Sequence, residues 1–322
     1  MEKVIEVTNL TKSYGPILAV DHISFEVAEG EIFGFLGPNG AGKTTTIRML
    51  TGLSKPTVGA AHVLGFNVES DIVEAKKCIG VVPEISNLYD ELSALKNLVF
   101  MAQLFGVPRN QRKARAEELL KTFGLYERKD HLFGTFSRGM KRALTIAAAL
   151  IHSPKLLFLD EPTVGLDVVA ARSLRNLIGN LRHQGVTIFL TTHYLEEADL
   201  LCDHIAILVK GRIVKIDTPK ALKAFAEEES VIEVSFKKMT PKIVEGLSGR
   251  LPDLKVVAID HRKVRIFGGV PTHVLDKVLQ YAKDRDAEID EVNSIKPSLE
   301  DAFIKITGLS PNIMAIEKGG GR

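Results

Sequence analysis

The sequence predicts an α/β domain with a glycine-rich loop and a helical subdomain, followed by a small α+β domain. Three observations carry that prediction. Short, nearly continuous apolar runs alternate with helical stretches up to about residue 226, and a glycine-rich loop stands between one such run and a helix. Beyond an acidic run, Glu227-Glu228-Glu229, the pattern changes. At 322 residues the chain is long for one domain, since about 150 residues per domain is usual.

The elements follow in order. Met1-Glu2-Lys3-Val4-Ile5-Glu6-Val7 reads as a strand and lacks the basic start and unbroken apolar core of a secretion signal. Ile32 to Leu36, Leu156 to Leu159 and Thr187 to Leu190 are strands apolar enough to be buried on both faces, as in α/β sheets. Residues 1–226 are expected to form the first domain, with a helical subdomain at about 85–152. Residues 230–308 read as strand (Val231 to Phe236), helix (Pro241 to Leu247), strand (Leu254 to Ile259) and strand (Val264 to Phe267). A helix (Pro271 to Lys283), a strand (Ala287 to Val292) and a last helix (Leu299 to Ile306), closed by Gly308, complete a ferredoxin-like order. Its core is expected from Val231, Val234, Phe236, Val256, Ile259, Ile266, Leu275, Leu279 and Ile289. The tail, 309–322, ends in three glycines and is expected to be mobile.

Composition narrows the function. Lys+Arg 42 against Asp+Glu 40 leaves no overall electrostatic footprint for nucleic acid, and no such partner is expected. Cys78 and Cys202 have no partners at metal-ligand spacing and read as reduced thiols rather than a zinc site. The longest nearly apolar stretch, Ala143 to Ile151, is well below the roughly 20 residues that cross a bilayer as a helix. Any membrane part would be another chain.

Gly37-Pro38-Asn39-Gly40-Ala41-Gly42-Lys43-Thr44 fits G-x-x-x-x-G-K-[ST] and lies between a strand and a helix, the context the motif requires. Glycines let successive backbone N–H groups point inward around a phosphate, and the following helix adds its positive end. Gly37, Asn39, Gly40, Ala41, Gly42, Lys43, Thr44 and Thr45 are the candidate contacts to ATP. Lys43 would hold the β- and γ-phosphates, and the Thr44 hydroxyl would bind Mg²⁺.

Leu156 to Leu159 ends in Asp160-Glu161, and alternation along a strand sends neighbouring side chains to opposite sides. Alone, such a pair is an ordinary acidic turn; the phosphate loop upstream decides for chemistry. Asp160 would orient Mg²⁺ or its waters, and Glu161 would activate the attacking water as general base.

With these motifs in place, residues 1 to 225 resemble the nucleotide-binding subunits of ABC transporters. The resemblance implies that Tyr14 stacks on adenine. It also implies that Phe136-Ser137-Arg138-Gly139-Met140 is the signature segment, whose Ser137 and Gly139 contact ATP held by the other subunit. Gly165-Leu166-Asp167 then resembles the loop that crosses the dimer, and His193 the switch histidine at the γ-phosphate. A cytoplasmic motor on the inner face of the cell membrane is implied, working as a pair with itself or a relative and driving separate membrane permease subunits.

Three positions depart from the family pattern. Glu84 stands where Gln is usual, close to Mg²⁺ and the water, and remains a candidate metal and catalytic residue. Arg138 replaces a glycine, so its side chain must point away from the nucleotide. Val168 replaces a proline. The Glu84 and Arg138 variations, with the closing segment Pro297 to Phe303 and Thr307-Gly308, are similar to the drug-resistance-type exporter ATPases, those of anthracycline resistance and sodium extrusion. Two other classes compete with this one: a soluble ABC-type ATPase of repair or translation, and an ATP-binding sensor. Thr45 to Phe136 carries no long coiled coil or zinc module, and only one cassette is present, which disfavours the former.

Overall fold

The computed structural model describes residues 2–227, 230–238, 241–285, 287–295, 298–310 and 314; Glu228-Glu229 of the acidic run and nearly all of the tail beyond Ser310 lie outside the described residues. The chain divides into two compact units, Met1–Ile216 and Asp217–Arg322.

The first unit begins with β1 (Lys3–Tyr14), β2 (Ile17–Ala28), β3 (Ile32–Leu36), α1 (Lys43–Leu50), β4 (Val58–Val63), β5 (Phe66–Asn67), α2 (Ile72–Cys78) and β6 (Ile79–Val82). Three helices, α3 (Ala94–Leu104), α4 (Arg112–Thr122) and α5 (Arg138–Ala149), intervene before β7 (Leu156–Asp160). Then come α6 (Val168–His183), β8 (Thr187–Thr192), α7 (Leu195–Leu201), β9 (His204–Val209) and β10 (Arg212–Asp217).

Two sheets result. One is antiparallel, in the order β2-β1-β4-β5; its β2 alternates buried Ile23, Phe25 and Val27 with more exposed residues, as a half-buried strand does. The other runs β10-β9-β3-β8-β7-β6 and is parallel from β9 to β6. Phe25 of the first sheet meets Phe35 of the second edge-on at 4.9 Å, and Phe35 lies 5.0 Å from Phe189. Phe33 and Phe158 complete this buried aromatic contact, each ring contributing about 1.5–3 kcal/mol through burial. The core therefore grips β3, β7 and β8, the strands whose carboxyl ends carry the motif residues.

The second unit contains α8 (Pro219–Glu227), β11 (Val231–Phe236), α9 (Pro241–Arg250), β12 (Lys255–Ala258), β13 (Lys263–Phe267), α10 (Pro271–Asp284), β14 (Ile289–Ile295) and α11 (Leu299–Thr307). Its sheet is antiparallel in the order β12-β13-β11-β14. Ile232, Val234 and Phe236 face α9 and α10, while Val231 and Phe267 pack with Ile304 of α11 in a separate cluster. On that second face Arg265 joins Glu233 (2.9 Å), Glu300 (3.2 Å) and Asp301 (2.8 Å). A capping box at Ser298 starts α11, and Gly308, at φ 75°, ends it.

Two sequence expectations shift here. α10 buries Val274, Val278 and Tyr281 rather than Leu275 and Leu279, the latter 42% exposed. Both stripes have helical spacing, and the one containing Tyr281 wins because its ring seats against Gly246, where a Cβ would collide with it. The division between units also falls before α8 rather than at residue 226. Leu222 and Ala226 of α8 are fully buried, and α8 packs on α11 of its own unit. The acidic run begins on the last residue of a helix that already belongs to the second unit.

Candidate functional site

The site is assembled by three adjacent parallel strands. Register places Phe35 of β3, Thr191 of β8 and Asp160 of β7 side by side, so the loops leaving all three strands emerge together. Carboxyl ends of parallel strands are where ligands of such sheets sit.

Between β3 and α1 the chain turns so that Gly42 adopts φ 105°, a left-handed conformation, and a Cβ there would come within 2.6 Å of Ala19 O. Asn39 and Gly40 are exposed at the tip, Gly37, Ala41, Gly42 and Lys43 are buried, and Thr44 and Thr45 are half-buried. The Lys43 ammonium donates to Gly37 O (2.6 Å) and Pro38 O (3.2 Å) and lies 3.0 Å from Glu161 Oε1. Thr44 Oγ1 donates to Asp160 Oδ1 at 3.1 Å, and Thr191 Oγ1 donates to the same oxygen at 2.6 Å.

The two acids differ for a reason other than strand alternation. β7 ends at Asp160, and Glu161 turns into the left-handed region at φ 48°. Its amide is held by Thr191, through both the carbonyl and the hydroxyl, each at 3.1 Å. Glu161 Oε2 accepts from His193 Nδ1 at 2.9 Å and from the His193 amide at 3.3 Å. Burial pushes the Asp160 carboxyl above its ordinary value, the bonds from Thr191 and Thr44 notwithstanding. Burial works in the same direction on Glu161, but the bond from His193 and the charge of Lys43 outweigh it and hold that carboxyl below its ordinary value. Lys43, Thr44, Asp160, Glu161 and His193 therefore form one cluster.

A second group surrounds the N-termini of α5 and α6. Ser137 caps α5 by accepting from Met140 N (3.3 Å), and Asp167 caps α6 by accepting from Ala170 N (2.8 Å). Gly139 lies so close to α6 that a Cβ on it would stand 2.9 Å from Ala170 Cβ. Arg138 turns to Gly165 O at 3.4 Å. Tyr14, 45% exposed, ends β1 with Lys12 Nζ 5.0 Å from its ring centre and Ser54 Oγ 3.4 Å from its hydroxyl. Glu84 follows β6, and its carbonyl accepts from Arg142.

Sequence reading missed Thr191 and Arg142. Thr191 lies one residue beyond the strand read from the sequence, Thr187 to Leu190, and its hydroxyl links Asp160 to the Glu161 amide. Arg142 is buried with Thr145, Ile146 and Ala149 at i+3, i+4 and i+7. A charge on that stripe was the available signal. Burial pushes its guanidinium down to about 10, against the nearby carboxylates Asp160, Glu197, Glu84 and Glu161, so it stays charged at neutral pH.

A family model described as ABC transporter matches residues 20–164. The linearmycin resistance ATP-binding protein LnrL of Bacillus subtilis (strain 168) is 34% identical over 307 residues, 95% of this chain and 98% of that one. The Nod factor export ATP-binding protein I of Mesorhizobium japonicum is 44% identical over 312 residues, 94% of this chain and 86% of that one. Among solved structures, a dimeric ATP-binding cassette in a post-hydrolysis state with ADP and Pi superimposes with a TM-score of 0.61 at 28% identity. That match covers 66% of this chain and 98% of the cassette. Among the described residues, no helix is long and apolar enough to cross a membrane.

Proposed function

The chain belongs to the ABC transporter family as an ATP-binding, ATP-hydrolysing subunit, and from that premise we propose that two such subunits close on ATP and drive export through separate membrane permeases. The observation that carries the site assignment is the single cluster of Lys43, Thr44, Asp160, Glu161 and His193 at the ends of three neighbouring strands. The names of the relatives, resistance and export proteins, supply the direction of transport. The subunit then sits on the cytoplasmic face of the membrane.

In this reading the backbone amides of Gly37 to Thr45 cradle the phosphates, Tyr14 stacks on the adenine, and Lys43 exchanges Glu161 for the γ-phosphate. Glu161 takes the proton of the attacking water while His193 orients it and contacts the γ-phosphate. The donors offered to a metal are hard oxygens, Thr44 Oγ1 and Asp160 Oδ1, converging at 3.1 Å. Among the described residues no cluster of three His, Cys, Asp or Glu could hold a metal by itself. Two protein oxygens completed by substrate phosphates and water is the arrangement Mg²⁺ takes. Thr44 and Asp160 would hold it, with Glu84 a further oxygen nearby, and Mg²⁺ would neutralise charge on the phosphate oxygens.

The functional assignment is tested by purifying the tagged chain from detergent-solubilised membranes of its own cell. A multi-helix membrane protein should co-purify and stimulate ATP turnover. Recovery of the chain alone, with turnover indifferent to membrane extract, would sink the transporter reading in favour of a soluble ATPase.

Ser137, Gly139 and Asp167 act across the dimer, on the nucleotide held by the other subunit. Mixing Lys43→Ala and Ser137→Arg chains should restore activity, up to about a quarter of wild type for random pairing with independent sites. One composite site in the mixed dimer carries both lesions and the other neither. No recovery, under conditions where wild-type chains pair, removes the cross-subunit role.

The second unit regulates or dimerises the motor and takes no part in the chemistry. Because α8 belongs to its core, a truncation must follow Asp217 rather than Ala226. The shortened chain should bind ATP within about threefold of the full chain, under ~0.7 kcal/mol, with any change appearing in pairing or turnover. Loss of ATP binding by a folded truncation would show that the units share a site.

A further inference from the structure

Glu161 adopts φ 48°, a left-handed conformation that is strained for a non-glycine residue and persists where the surroundings over-determine it. Thr191 fixes one side of this turn by taking the Glu161 amide. The other side is held by a side chain from a different element.

Arg142, in the second turn of α5 and 7% exposed, donates Nη2 to Asp160 O at 2.6 Å and Nε to Pro162 O at 2.9 Å. These are the carbonyls immediately before and one residue after Glu161. Its remaining arm, Nη1, donates to Pro83 O and to Glu84 O, the latter at 3.3 Å. Among the described residues its acceptors are main-chain carbonyls, so the group fixes backbone rather than pairing with a neighbouring acid. We propose that Arg142 is a positioning residue for hydrolysis: its planar guanidinium clamps the two ends of the Glu161 turn to each other and to the Pro83–Glu84 segment, setting where the Glu161 carboxylate points.

The geometry needs an arginine. A guanidinium presents donors in a fixed planar fork that can reach carbonyls on several sides at once, whereas a lysine ammonium is a point charge on a flexible stem. Losing the clamp releases the turn while the bonds from Lys43 to Gly37 O and Pro38 O, which shape the phosphate loop itself, stay in place. The consequence is a defect in turnover and not in affinity, because misplacing a base by about 1 Å can cost on the order of 100-fold in rate.

This inference rests on Glu161 being the general base, and a double-mutant cycle separates the two claims. ATP affinity, kcat and thermal unfolding are measured on the full chain for Arg142→Lys, Glu161→Gln and the two combined, with Arg142→Gln as a second variant. Arg142→Lys should lower kcat about 10- to 100-fold with the Kd for ATP within about twofold of wild type. In the Glu161→Gln background the same change should alter residual turnover less than about twofold, since there is no base left to place. Arg142→Gln should show the same split between kcat and affinity. Normal turnover by Glu161→Gln alone overturns the base assignment and the clamp's role with it. A severe defect in Glu161→Gln, together with an equal loss from Arg142→Lys in both backgrounds, overturns the clamp alone. An unchanged kcat in Arg142→Lys, a loss confined to ATP affinity, or failure of both Arg142 variants to fold also overturns it.

Discussion

A Lys43→Ala chain is expected to bind ATP about 100-fold more weakly and to show no measurable turnover. Lys43 is the one cation between Gly37 and Thr44, and a hydrogen bond to a charged group contributes roughly 1.5–3 kcal/mol, so losing several phosphate contacts reaches that figure. The same substitution removes the cation 3.0 Å from Glu161, leaving a buried carboxylate to His193 and raising its pKa towards the ordinary value. The first effect acts against hydrolysis; a carboxylate raised only towards its ordinary value stays ionised at neutral pH. Titration calorimetry with ATP, on protein shown to be folded by its thermal transition, measures the first directly. Unchanged binding and turnover would remove Lys43 from the phosphate site.

Glu161→Gln is expected to lower turnover by about 10²–10⁴-fold while leaving ATP binding intact or slightly tighter. The amide is nearly isosteric, so the left-handed turn and the bond to the His193 amide survive, yet it cannot take a proton from water. Its lowered pKa keeps the native carboxylate ionised at neutral pH, ready to accept. Binding tightens because the substitution removes the anion that competes with the γ-phosphate for Lys43. The check is single-turnover hydrolysis beside size-exclusion chromatography with ATP, in which closed dimers should accumulate. Near-normal turnover would move the general base to His193 or Glu84.

The phosphate loop was legible because its letters encode its geometry: Gly42 is required where φ is 105°, and Lys43 where a cation must fold back over the loop. Glu161 was legible as an acid but not as a turn, since nothing in a glutamate announces a positive φ. That conformation is imposed by Thr191 and Arg142, which lie far from it in sequence. The antiparallel sheet was less visible than the parallel one. Register shifts interrupt β1, and Asn9 within it takes φ 49°, so the alternation that marks a half-buried strand is broken. The unit boundary was misplaced because charge marked a linker more loudly than the buried stripe of Leu222 and Ala226 marked a helix.

The position of α3, α4 and α5 has an evolutionary consequence. They enter between β6 and β7, and β6 is the outermost strand of the parallel sheet. A segment spliced into a margin can change length or surface chemistry without disturbing the middle strands that carry Gly37, Asp160 and Thr191. Lineages of such motors therefore have room to diverge at this margin while inheriting one unaltered fuel-burning centre. The surfaces of α3 and α4 are the freest to change, whereas α5 must keep Arg142 facing inward.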